Sequence, residues 1–251
     1  MILIFECPQA IIFDTFHITG ANKISKIFFN ATLKSDKVTA IFVTDAPKKE
    51  CKSLEKLFCK DKAHRFCHYH DLQELLLTEN MIPTAAFISD LNIERMLQFR
   101  NINQYSFPVI GLIHSLGIPN IFDKLTRIFS LMKSNDSYIC PSYHTQKTLI
   151  KYGLPEMQST VFHFGYNKYQ FFPDKNNKDA LREKLKLPKN KTVMLLLSRL
   201  TPCLKMDFTP LIRILPQLIK KDPKLILYIV GSITDKNYVS QLKRYIKEFK
   251  L

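Results

Sequence analysis

Ser198, Arg199 and Lys205 fall in one short segment, SRLTPCLK, directly after an apolar run, Val193 to Leu197. A guanidinium, an ammonium and a hydroxyl held together at the end of a strand are donors suited to an anion, best a phosphate or diphosphate. A helix starting near Asp207 adds free N–H groups and the positive end of its dipole at the same place. No Walker-type glycine loop is present, and the spacing alone fits solvated loop charges equally well.

Positioning such a loop takes a β-α-β unit, and the flanking residues supply one. Val193–Leu197 and Leu225–Val230 are rich in Leu, Ile and Val, and a helical pattern separates them. Phe208, Leu211, Ile212, Leu215, Leu218 and Ile219 recur at spacings of three and four, which places them on one helix face. Asp207 is the expected N-cap and Pro210 fits the first turn. Pro216 inside the helix predicts a bend. Continuous apolar strands joined by a crossover helix predict a parallel pair covered on both faces.

The run SRLTPCLKMDFTPLI, followed later by YIVGS, resembles the start of the C-terminal domain of GT-B glycosyltransferases, in particular retaining family 4. The resemblance implies that Arg199 and Lys205 bind the donor diphosphate, with Ser198 beside them, although the loop is one residue longer than the common pattern. The upstream GYNKYQFFP is similar to the family's hinge pattern through Gly165, Asn167, Phe171 and Pro173, and YICPS matches a strand followed by a Pro-Ser turn. FPVIGLIHSLG is similar to the region in which a histidine ends an N-domain strand near the transferred sugar, which makes His114 the implied donor-sugar-orienting residue. A polar residue that simply turns the chain is the alternative account of His114. His17, Asn22, Asp90 and Gly231 are further candidate cleft residues, with ordinary loop polarity the alternative for His17 and Asn22.

What the resemblance implies is transfer of a sugar from a UDP- or GDP-sugar to a hydroxyl acceptor with retention. No metal or other cofactor is expected, because the cationic groups stabilise the departing diphosphate. The expected fold is α/β: a Rossmann-like N-terminal domain of the GT-B type, residues 1–173, a linker, 174–188, and the first part of a second Rossmann-like domain, 189–251. A domain usually needs ~100–200 residues, so the second is expected to be incomplete, lacking the family's E-x7-E carboxylates. That leaves open a non-catalytic remnant or one half of a split enzyme with a complementing chain.

The net charge of +15, from 37 Lys and Arg against 22 Asp and Glu in 251 residues, bears on partners. It suits a phosphorylated donor, an anionic acceptor or peripheral association with an acidic membrane, and it allows a basic polyanion binder. The lysines are spread along the chain without a basic block or a nucleic-acid module, so no specific nucleic acid is expected. Six cysteines lack the density of a disulfide framework, and no basic region precedes the apolar Met1–Phe5, so reduced thiols and a cytoplasmic setting are expected. Cys51, Cys59, His64, Cys67, His68 and His70 lack the paired spacings of a zinc site.

Along the chain, strands are expected at 1–5, 38–44, 85–89, 107–113, 137–140 and 160–164. Helices are expected at 21–33, 47–60, 92–100, 121–132, from Ser142 as N-cap to about 152, at 180–185 and at 237–249.

Overall fold

A computed structural model describes residues 1–6, 20–44, 63–89, 92–117, 120–165, 168–169, 172, 177–202 and 205–249. They form two compact units, Met1–Gly165 and Tyr166–Leu251.

In the first unit, strands alternate with helices. In chain order these are β1 (Ile2–Glu6), α1 (Gly20–Lys34), β2 (Ala40–Thr44), β3 (Ala63–Phe66), α2 (Leu72–Thr78), β4 (Ala85–Ser89) and α3 (Ile93–Ile102). They continue with β5 (Val109–Leu112), α4 (Ile121–Leu131), β6 (Ser137–Cys140), α5 (Tyr143–Lys151) and β7 (Ser159–Val161). The seven strands are parallel in the order β3-β2-β1-β4-β5-β6-β7. The order reverses between β1 and β4, where Phe5 lies opposite Val43 on one side and Phe87 on the other.

Period-two geometry sends alternate residues of each strand to opposite faces. Ile4, Phe42, Ile88, Val109 and Tyr138 pack with Leu72, Leu97, Leu125 and Leu149 from α2, α3, α4 and α5. Leu3, Phe5, Val43, Phe87 and Leu112 pack with Phe28 and Phe29 of α1. On that face Phe87 stacks on Phe5 and Phe28 at 5.1 and 5.0 Å between ring centroids. Burial on both faces is why these strands read as unbroken apolar runs instead of an alternating pattern.

A fully buried ionic pair ties a helix to the sheet. Arg100 of α3 and Asp136 before β6 are both fully buried and joined by a short hydrogen bond from Nη1 to Oδ1. Asp136 also accepts from the Val109 and Lys133 N–H groups at 2.8 and 2.7 Å, while Arg100 donates to the Leu131 carbonyl at 3.3 Å. Every oxygen of the carboxylate is therefore engaged, as a buried charge requires.

The second unit contains α6 (Lys178–Lys184), β8 (Thr192–Leu197), α7 (Thr209–Lys221), β9 (Leu225–Val230) and α8 (Lys236–Glu248). β8 and β9 pair in parallel, from Thr192 opposite Leu225 to Leu197 opposite Val230. Leu196 and Ile229 pack against a core of Leu200, Phe208, Ile212, Tyr238 and Leu242. Their neighbours on the opposite face, Leu195, Leu197, Tyr228 and Val230, are exposed. The expected cover on both faces is therefore absent among the described residues. α7 runs unbroken through Pro216.

The α/β reading and most of the elements agree with the structure, with ends displaced by a few residues. The strand expected at 160–164 is the shorter β7, Ser159–Val161. β3 and α2 were not expected: AHRF has no apolar run because β3 is an edge strand, and α2 is only two turns long. The helix expected at 47–60 lies outside the described residues.

Candidate functional site

The segment after β8 is held by backbone pairing that continues past the strand. Ser198 N–H donates to the Val230 carbonyl at 3.0 Å and Leu200 N–H to the Ser232 carbonyl at 2.9 Å, and Leu200 bridges Ile233. Gly231 makes this possible. A Cβ built on it would lie 1.7 Å from the Ser198 carbonyl oxygen, so the two segments approach as closely as they do because residue 231 has no side chain. The Ser198 hydroxyl is turned back onto the Arg199 carbonyl at 3.3 Å.

Arg199 is half-buried and Lys205 exposed. Among the described residues neither side chain makes a hydrogen bond or ion pair. Two cations beyond the carboxyl end of a parallel strand, with their donors uncommitted, form an arrangement that can receive an anion. Cys203 and Leu204, between them, lie outside the described residues.

The start of α7 differs by one residue from expectation. Phe208 is the N-cap, with a helical backbone (φ −84°, ψ −7°) and no side-chain acceptor with which to cap. Asp207, one residue earlier, supplies the acceptor instead: its Oδ1 accepts from Thr209 N–H at 2.9 Å and from the Tyr238 hydroxyl at 3.0 Å. That hydroxyl in turn accepts from Phe208 N–H at 2.5 Å. The Thr209 N–H lowers the Asp207 pKa below the usual carboxylate value, with Tyr238 and Arg213 adding to the effect, while burial raises that of Tyr238. These contacts lock the N-terminus of α7 to α8 just beyond Lys205. A groove of about 590 Å³ opens beside them, lined in part by Pro202, Asp207, Arg213, Gln241 and Tyr245.

In the first unit, His114 follows β5 and is half-buried. Its Nε2 lies 3.2 Å from the Ser89 hydroxyl at the end of β4, and its ring is 6.0 Å from that of Phe164. Ser89 is joined to Ser25 of α1, Oγ to Oγ at 2.5 Å. Buried Glu6 and Thr44 end the neighbouring strands β1 and β2 side by side. The carboxyl edge of this sheet thus gathers polar groups at its point of strand-order reversal, the usual ligand crevice of open α/β sheets.

The other expected site residues are placed as follows. Asn22 is in the first turn of α1, Gly231 follows β9 as a spacer, and His17 and Asp90 lie outside the described residues, as do Asn167 and Phe171. Ser25, Ser89 and Tyr238 carried no motif; a serine closing a buried strand is the one local sign that Ser89 offered. Among the described residues no cluster of three metal-ligating side chains occurs. His68 and His70 stack on each other at 5.0 Å between ring centroids. Burial pushes the Cys140 thiol up to about 11, which suits packing and not nucleophilic chemistry. No helix among the described residues is long and apolar enough to cross a membrane.

No protein-family model and no curated protein matches the sequence. Solved structures do match the fold. Alr3699/HepE of Anabaena, in complex with UDP, is similar with a TM-score of 0.70 at 16% identity, over 100% of this chain and 66% of that one. A glycosyltransferase from Rickettsia africae gives 0.63 at 17%, over 100% and 65%. The N-terminal domain of Candida albicans trehalose-6-phosphate phosphatase gives 0.60 at 10%, over 99% and 68%. The chain thus shares the Rossmann-like α/β fold of these structures and spans about two thirds of their length.

Proposed function

We propose that this chain acts in glycosyl transfer, binding a nucleotide-sugar donor, a UDP- or GDP-sugar, through the loop that follows β8. The observation that carries the reading is the pair of uncommitted cations, Arg199 and Lys205, between the carboxyl end of β8 and the N-terminus of α7. The fold it shares with a UDP-bound structure supports the choice of a nucleoside diphosphate among anions. In the reaction, charge grows on the departing diphosphate, and preorganised donors aimed at that charge lower the barrier. Arg199 and Lys205 take this role without a metal, His114 orients the donor sugar, and a hydroxyl acceptor receives the sugar with retention, as in family 4.

Calorimetric titration with UDP and GDP tests the donor site. Hydrogen bonds to charged groups contribute ~1.5–3 kcal/mol each, so Arg199→Ala combined with Lys205→Ala should weaken binding by ~100-fold or more. Unchanged affinity in the double variant removes the assignment.

A second reading adds another polypeptide that completes the second unit, and the bare face of β8 and β9 favours it. Leu197 is 74% exposed and Leu195 57%, whereas parallel sheets are ordinarily covered on both sides. The chain alone should then bind the dye ANS, as exposed apolar surface does. Leu195→Lys with Leu197→Lys should abolish most of that signal; an unaltered signal rules the face out as its source.

A further inference from the structure

We infer that Ser25 and Ser89 form a hydroxyl relay that delivers a hydrogen bond into Nε2 of His114 and so holds the imidazole as its Nδ1–H tautomer. Both serines are buried, Ser25 completely and Ser89 to 4% exposure. The three groups form a line: Ser25 Oγ to Ser89 Oγ at 2.5 Å, then Ser89 Oγ to His114 Nε2 at 3.2 Å.

A hydroxyl has one proton to donate, and the line can run in two directions. If His114 Nε2–H donates to Ser89, the two hydroxyl protons have only the single Oγ–Oγ contact between them, and one of the two is left with no acceptor among the described residues. A buried donor without a partner is destabilising. If Ser25 donates to Ser89 and Ser89 to His114, both hydroxyl protons are satisfied. The second direction makes Nε2 an acceptor and leaves the ring proton on Nδ1. The placement also has a structural logic: Ser25 comes from α1, Ser89 from the end of β4 and His114 from just beyond β5. Three elements packed around the strand-order reversal thus converge on one ring nitrogen. Ser25 and Ser89 are positioning residues, since they act through His114.

Whether the fixed tautomer serves donor-sugar binding rests on the transferase reading, but the tautomer itself does not. Two-bond 1H–15N correlation spectra of the 15N-labelled full chain, at a pH where imidazoles are neutral, read it directly, with His114 assigned by loss of its signals in His114→Gln. Nε2 should show the shift of an unprotonated nitrogen and Nδ1 that of a protonated one. In Ser89→Ala the pattern should move toward Nε2–H, and in Ser25→Ala it should move part of the way, while Ser25→Thr should retain the wild-type pattern. A wild-type His114 protonated at Nε2, or a pattern indifferent to both alanine substitutions in folded protein, overturns the relay. Nucleotide-sugar turnover measured on the same variants separates the two ideas. Tautomer shifts without any turnover leave the relay standing and count against the transferase reading alone.

Discussion

The two units solve the same packing problem to different extents. In the first, seven parallel strands bury one face under α2, α3, α4 and α5 and the other under α1. In the second, a two-stranded parallel sheet is covered among the described residues by α7 and α8 on one side only, and Leu195, Leu197, Tyr228 and Val230 are exposed. Parallel strands gain stability chiefly from the layers that cover them. The first unit therefore has the resources to hold buried polar groups such as Arg100, Ser25 and Ser89 in fixed geometry. The second places its cations, Arg199 and Lys205, in a loop on a thinner support.

The contrast is most sharply tested by removing a buried charge. Asp136→Ala strands Arg100 in the interior, and breaking such a pair is destabilising by about 3–5 kcal/mol. Urea unfolding should show that loss in the first unit's transition. A loss no larger than that of a surface substitution would mean that water reaches the pair.

Next comes a matched pair of core and face. Ile88→Ala in the first unit should reduce stability by about 2–5 kcal/mol. Leu197→Ala in the second should change it by less than ~0.5 kcal/mol. If the Leu197 variant loses as much as the Ile88 variant, the face of β8 and β9 is covered in solution and the contrast fails.

Gly231→Ala probes the thinner support at its tightest point. The added methyl meets the Ser198 carbonyl, and overpacking of this kind is destabilising by about 1–3 kcal/mol. UDP affinity should fall along with the second unit's stability, because the displaced backbone carries Arg199. Unaltered thermal unfolding of the variant would show that the two segments part easily.

The smallest effect is expected at Asp207, which is exposed. Its folded-state pKa is lowered, chiefly by the Thr209 N–H, so its contribution is fully present above the ordinary carboxylate pKa. That contribution is lost as pH falls from there toward the lowered value. Exposure to solvent keeps it small. Asp207→Asn should flatten the acid limb of the second unit's stability profile, and an acid limb identical to wild type would assign that limb to other carboxylates.

Several features were legible because they are local. Phe208, Ile212 and Leu215 mark one helix face by spacing alone, and unbroken apolar runs such as Val193–Leu197 mark strands, although not how far each is covered. The gathering of Ser198, Arg199 and Lys205 in the loop after β8 was legible for the same reason, since they are near neighbours in the chain. β3 was not, because an edge strand needs no apolar run and AHRF has none. The Asp207 cap was placed correctly as an acceptor but not as the N-cap, because helix onset is set by the backbone of Phe208.

By itself, then, the sequence determined the alternation of strands and helices, the parallel β-α-β unit and the cations at its loop, all of which follow from short-range periodicity and spacing. Tertiary structure alone decided that Arg100 meets Asp136, that Gly231 must clear the Ser198 carbonyl, and that Ser25 and Ser89 converge on His114. These depend on which strands become neighbours and on how closely their ends approach. Residues far apart in the chain acquire a shared chemistry only when the sheet order brings them within hydrogen-bond distance.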